Sequence, residues 1–155
     1  MVSIACDNWH LFGDGDTEFQ SLSGTLVLAV DDNADSLLLT SLILEECGVQ
    51  VMTAASATEA LELIKKCQPD LLISDIAMPG EDGYALIRKI RSLPPHLGGL
   101  LPAIALTAYV MDEDRTLALE SGFQMHLTKP IDSTELLTAV VKLAEDFPPK
   151  KHALG

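Results

Sequence analysis

The sequence predicts a doubly wound α/β domain, a parallel sheet with helices on both faces. Two observations carry this. Five short apolar runs, Leu26–Val30, Val49–Thr53, Leu71–Ser74, Ala103–Leu106 and Phe123–Leu127, are nearly continuous rather than alternating, as strands covered on both faces are. Segments with helical spacing separate them, and parallel strands need such crossovers. At 155 residues the chain has room for one such domain and not for two.

The first helix is predicted from Ala34 to about Cys47, with Gly48 where a left-handed C-terminal residue is wanted. The second places Ala57, Ala60, Leu61 and Ile64 on one face, opens on a Ser56/Glu59 capping box and is closed by Pro69. The third uses Tyr84, Ile87 and Ile90, and the last starts at Asp132 with Glu135 as capping partner and buries Leu136, Leu137, Val140, Leu143, Ala144 and Phe147. The fourth, from Asp112 to Ser121, has an acidic first turn and no clean apolar stripe, so it should be the least firmly docked.

These elements define a core from Leu26 to Phe147, with residues 1–25 as an acidic extension or linker and 148–155 as a tail. No apolar run approaches the roughly 20 residues of a membrane span, and residues 1–20 show neither a signal nor a transit peptide, so a cytoplasmic location is expected. Ten Lys and Arg against 23 Asp and Glu give a net charge of −13, which repels nucleic acid and anionic membranes. Cys6, Cys47 and Cys67 are an odd number without a C-x-x-C spacing, which argues against a disulfide framework or a zinc site.

Ligands of open parallel sheets bind beyond the carboxyl ends of the strands. Four of the five exits carry complementary polar groups: Asp31-Asp32-Asn33, Asp75, Thr107 and Lys129-Pro130. Each has an ordinary explanation as a helix cap, a turn opener or a surface lysine, but four would have to coincide on one sheet edge. In a strand order 2-1-3-4-5 the first and third strands are neighbours, and Asp31, Asp32 and Asp75 converge. Three crowded carboxylates call for a hard divalent cation, Mg²⁺ with Mn²⁺ as an alternative. With the Lys129 ammonium and the Thr107 hydroxyl, the pocket is suited to placing a phosphoryl group on Asp75 as nucleophile.

The stretches Val30-Asp31-Asp32-Asn33, Asp75-Ile76-Ala77-Met78-Pro79-Gly80-Glu81-Asp82-Gly83, Leu106-Thr107-Ala108 and Lys129-Pro130 closely resemble the receiver domains of two-component response regulators. The resemblance implies a five-stranded flavodoxin-like fold, order 2-1-3-4-5, whose aspartate takes a phosphoryl group from a histidine kinase or histidine phosphotransfer protein. By position it makes Asp75 the phosphoacceptor and Asp32, Asp75 and the Ala77 carbonyl the Mg²⁺ ligands, with Asp31 reaching the metal through water. Thr107 and Lys129 would contact the phosphoryl group, and the Lys129–Pro130 bond would be cis. The family resemblance also implies a switch that reshapes the face of helix 4, strand 5 and helix 5 for a downstream protein.

His126 stands where this family usually has Tyr or Phe on strand 5, which suggests a switch that also senses protonation. Ala77 and Tyr109 stand where the family tunes the lifetime of the phosphoryl bond; alanine cannot orient a water, so slow autodephosphorylation is expected. Eight residues after the core cannot form an effector domain, so output through protein contact is expected, from a stand-alone regulator or the receiver of a hybrid sensor kinase. The chain should be a monomer or weak dimer, with Tyr84, Leu117 and the last helix as candidate contacts. Two alternatives compete: a receiver-like interaction module independent of phosphorylation, and a haloacid dehalogenase-type phosphatase. The second needs Asp-x-Asp after strand 1, where Asn33 cannot carry the proton.

Overall fold

The structure, a computed structural model, describes residues 22, 24–78, 80–108 and 112–147, without the side chains of 112–115. Five parallel strands, β1 Leu26–Val30, β2 Gln50–Ala54, β3 Leu71–Asp75, β4 Ala103–Thr107 and β5 Met125–Thr128, form one sheet in the order β2-β1-β3-β4-β5. The helices are α1 Ala34–Glu45, α2 Ala57–Cys67, α3 Gly83–Arg91, α4 Asp112–Ser121 and α5 Ser133–Asp146, with a short 3₁₀ turn at Pro95–Leu97. The doubly wound α/β class and the strand order are those read from the sequence. No helix among the described residues is long and apolar enough to cross a membrane.

Every residue of β1, β3 and β4 is buried, which is why their sequences are apolar runs rather than alternations. Two cores result. On one face of the sheet, Leu28, Val30 and Leu72 pack with Ile64 of α2 and Leu86 and Ile90 of α3. On the other, Val27, Ile73 and Ile104 pack with Leu44 of α1, Leu136 and Val140 of α5, and Leu22 from the chain leading into β1.

The caps follow the sequence closely. Asn33 accepts from the Ser36 amide at 2.9 Å and Asp132 from Thr134 at 2.8 Å, while Asp82, not read as a cap from the sequence, accepts from Ala85 at 2.9 Å. Ser56 accepts from the Glu59 amide at 3.2 Å, but the Glu59 carboxylate reaches the Ala55 amide at 2.9 Å, one residue before the cap. Helix α4 keeps its expected bounds, with Ala118 buried and Leu117 and Leu119 exposed.

Several boundaries differ from the sequence expectation: β2, β3, β4 and β5 each run one residue past the apolar run, to Ala54, Asp75, Thr107 and Thr128, and Phe147, expected to be buried by the last helix, is exposed. Helix α1 ends at Glu45 rather than Cys47, because Cys47 and Gly48 bond three residues back, to Leu44 and Glu45, in a tightened last turn. Gly48, at φ +85°, then takes the left-handed conformation and turns the chain into β2. Val49 bonds back to the Leu44 carbonyl and so belongs to this turn, which moves the start of β2 to Gln50. Strand β5 starts at Met125 rather than Phe123, because the Phe123 amide is spent on Ala118 of α4 while its side chain enters the core.

At the base of the sheet the buried Asp70 carboxylate accepts from the Leu26 amide at 2.9 Å, and the Asp70 amide donates to the Leu26 carbonyl at 2.7 Å, clamping the start of β1. Asp70→Ala orphans a buried N–H and should cost about 1–3 kcal/mol in denaturant unfolding, with Asp70→Asn recovering much of it. An Asp70→Ala variant as stable as the wild type would contradict this.

Candidate functional site

The functional side chains are positioned by ladder bonds that run one step past the strand ends. The Asp31 amide donates to Ala54 of β2 at 3.1 Å, the Ile76 amide to Leu106 of β4 at 2.9 Å, and the Lys129 amide to Thr107 at 2.7 Å. Each exit is thereby registered against its neighbour. The Asp31 carboxylate is oriented further by the Asn33 amide, which donates to its Oδ1 at 2.9 Å. Asn33, read from the sequence beside the acidic pair, is the cap of α1.

Asp31, Asp32 and Asp75 come together, each offering one carboxylate oxygen within 4.8 Å of the others. Asp31 and Asp75 are buried and Asp32 is exposed, so the cluster opens to solvent on one side. The Lys129 ammonium lies 2.9 Å from Asp31 Oδ2 and 3.2 Å from Asp75 Oδ1. Thr107, 2% exposed, sits on β4 one step beyond Leu106, the register partner of Asp75, and is itself paired with Thr128 of β5. The Lys129–Pro130 peptide bond is cis.

Burial pushes the Asp75 carboxyl above the usual carboxylate range, and the Asp31 charge pushes it further, against the lowering pull of Lys129. Burial alone would lower the Lys129 ammonium, but its bonds and charge contacts with Asp31 and Asp75 outweigh that and raise it. The pocket therefore holds two carboxylates against one ammonium in a largely water-excluded site, with a third at its rim.

Gly83 sets the distance of α3 from this pocket. A Cβ there would lie 2.5 Å from the Asp75 carbonyl oxygen and 2.9 Å from Ile76 Cα, so only glycine lets the helix start so close to the chain leaving β3. The Gly83 amide closes the turn on the Ile76 carbonyl at 2.9 Å. Gly83 stands within the Asp75–Gly83 motif, and its part in seating α3 shows only in the fold.

The other sequence-predicted residues fall elsewhere. Ala77 is exposed in the loop after β3. His126 is half-buried on β5, opposite Ala105, and lines a separate groove with Met125, Thr134, Glu135 and Thr138. Tyr109 lies outside the described residues, as does nearly all of the extension and the tail.

The half-buried Arg91 at the end of α3 was not anticipated. Its guanidinium donates to the Gly122 carbonyl at 2.7 and 3.0 Å, to Gly99 at 3.0 Å and to Gln124 Oε1 at 3.1 Å. It ties together the end of α3, the lead-in to β4 and the junction of α4 with β5. Its partners are mostly carbonyls, which any residue supplies, so no pattern in the sequence marks it.

A family model described as the response regulator receiver domain matches residues 27–141. The chain is 48% identical over 130 residues to an uncharacterized 14.6 kDa protein of Leptolyngbya boryana, covering 84% of this chain and 98% of that one. It is 38% identical over 117 residues to the sensor histidine kinase GacS of Pseudomonas protegens, covering 75% of this chain and 13% of the kinase. Chemotaxis protein CheY4 of Vibrio cholerae superimposes with a TM-score of 0.72 at 29% identity, over 78% of this chain and 99% of that one.

The raised Asp75 carboxyl has a stability consequence. The folded state binds that proton more tightly than the unfolded chain, so its contribution favours folding below the ordinary carboxylate pKa of about 4 and is lost as pH rises through the folded value. With divalent ions chelated, Asp75→Asn should therefore melt higher than wild type near neutral pH, by roughly 3 °C per kcal/mol relieved, and the gain should vanish in acid. An Asn variant that melts lower at neutral pH would contradict the assignment.

Proposed function

The chain belongs to the response regulator receiver family of two-component signalling, and from that premise we propose that Asp75 is its phosphoacceptor. The observation that carries this is the convergence of Asp31, Asp32 and Asp75 at the strand exits with one ammonium, Lys129, on two of them. The donor is the phosphohistidine of a histidine kinase or a histidine phosphotransfer protein. An Asp75 carboxylate oxygen attacks phosphorus as the P–N bond to the donor imidazole breaks, and the leaving nitrogen keeps the electron pair and takes a proton from solvent. The Lys129 ammonium and the Thr107 hydroxyl stabilise the phosphoryl oxygens.

The donor set suits a hard divalent cation: the clustered ligands are all carboxylates, they outnumber the nearby ammonium, and the exposed Asp32 leaves one side open for retained waters. Asp32, Asp75 and the Ala77 carbonyl would hold Mg²⁺ or Mn²⁺, with Asp31 acting through water. When bound, the cation neutralises the carboxylates and the incoming phosphoryl charge. Output passes to another protein through the face of α4, β5 and α5, with His126 in the switch position. Asn33 serves as a helix cap and cannot carry a proton, which tells against the phosphatase alternative.

Intact mass after incubation with Mg²⁺ and acetyl phosphate tests this reading. Wild type should gain one phosphoryl group and Asp75→Asn none. No gain in a folded wild type would leave an interaction module independent of phosphorylation. Ala77 offers no side chain to orient an attacking water, so the phosphoryl bond should be long-lived, with Tyr109 as a screen. Ala77→Gln should shorten the decay time several-fold in a phosphate-release assay, and an unchanged decay would remove position 77 from its control.

A further inference from the structure

At the edge of the sheet opposite the carboxylates, the chain leaving α2, the loop between α3 and β4 and the end of α5 enclose a groove of about 320 Å³. That is the volume of a site for one small molecule. Its floor is Ile64, Pro69 and Pro102, all buried, and its rim is Leu100 and Phe147, 69% and 41% exposed.

The walls are held in place. Gln68, at φ +49°, leads the chain out of α2 and donates from its side-chain amide to the His96 carbonyl at 3.2 Å. Arg91 donates to the Gly99 carbonyl of the same loop at 3.0 Å. Between these two anchors Gly98, at φ +116°, lies so close to α2 that a Cβ there would meet Ile64 Cγ2 at 2.6 Å. A ligand therefore meets a formed site, and little ordering of the loop opposes its binding.

The charge at the groove is of one sign. Asp70 and Asp146 are the charged residues among its described lining. The Asp70 carboxylate is engaged by the Leu26 amide, whereas Asp146 ends α5 and stands more than half exposed at the mouth. A carboxylate is unfavourable there: the last carbonyls of the helix carry partial negative charge, Glu145 and Asp146 add to it, and the last turn holds no base. Lys142, one turn back, lies 3.8 Å from Asp146, near the outer limit of an ion pair, and both side chains are more than half exposed. An apolar cavity with an under-compensated carboxylate at its mouth is complementary to a ligand with an apolar body and one positive charge. A second copy of the chain, at net charge −13, would bring like charge to this mouth.

We propose that the groove binds a small organic ammonium or amidinium ion, its aryl or branched alkyl body between Leu100 and Phe147 and its cationic head on the Asp146 carboxylate. The site lies at the N-terminal ends of β3 and β4, the length of the sheet away from Asp75, and it does not depend on the phosphoacceptor reading.

Phenethylammonium, titrated into the full-length protein with excess Mg²⁺ and followed by amide chemical shifts, tests this. The comparison ligand is hydrocinnamate, which carries a carboxylate on the same phenethyl stem. The amine should shift Leu100, Leu101 and Phe147 saturably, and hydrocinnamate should bind several-fold more weakly. Asp146→Asn should weaken the amine roughly threefold. Leu100→Lys, which sets a cation at the mouth, should abolish amine binding and admit hydrocinnamate. Both variants are at exposed positions and should leave the circular dichroism unchanged. Absence of a saturable shift in wild type would overturn the proposal. So would equal affinity for the two ligands, shifts centred on Asp31, Asp32 and Asp75, or an Asp146→Asn variant that binds the amine as tightly as wild type.

Discussion

The Lys129 ammonium lies within 3.2 Å of two carboxylates, Asp31 and Asp75, that the fold has taken out of water beside each other. Without that cation the two would repel at short range in a low-dielectric setting, and each would carry its desolvation cost without compensation. Bringing Lys129 there is a topological matter, since Asp31 leaves β1 and Lys129 leaves β5, 98 residues later. Only a sheet whose strands all run the same way, with β3 and β4 between those two, delivers these exits to one edge. The parallel arrangement, and with it every crossover helix, is a condition for the pocket.

Crowding at that edge sets further constraints. The carboxylates come from the exits of two neighbouring strands, β1 and β3, so the backbone there must be fixed as firmly as the side chains. Ladder bonds beyond the strand ends do this for Asp31, Ile76 and Lys129, and the absence of a Cβ at Gly83 brings α3 against the chain just after Asp75. The two apolar clusters on either face of the sheet supply the stability that the charged edge does not.

Much of this was legible in the sequence because the signals were local or additive. Continuous apolar runs gave the strands, caps such as Asn33, Ser56 and Asp132 gave the helix starts, and polar residues at four strand exits gave the pocket. What escaped depends on partners far along the chain. Phe123 is as apolar as a strand residue, yet its amide closes α4. Asp70 and Arg91 look like surface charges in a polar stretch, and only the fold shows one clamping β1 and the other spanning three junctions. The exposure of Leu38, Leu39 and Leu42 on α1 was hidden for the opposite reason, since a leucine-rich helix is read by default as core.

Raised carboxyl, bridging ammonium and open rim together describe a site held short of electrostatic satisfaction. Lys129 answers two carboxylates with one charge, and the third, Asp32, faces solvent. A pocket in balance would gain nothing from a ligand, whereas this one favours a cation that the carboxylates can share. Were a cation to offset the acids, the ammonium would be released from part of its task and could face an incoming anion. A phosphoryl group on Asp75, as proposed, would redistribute charge among groups fixed to four different strands. Among these is Thr107, whose strand pairs directly with β5 at Thr128, the edge strand of the output face proposed above.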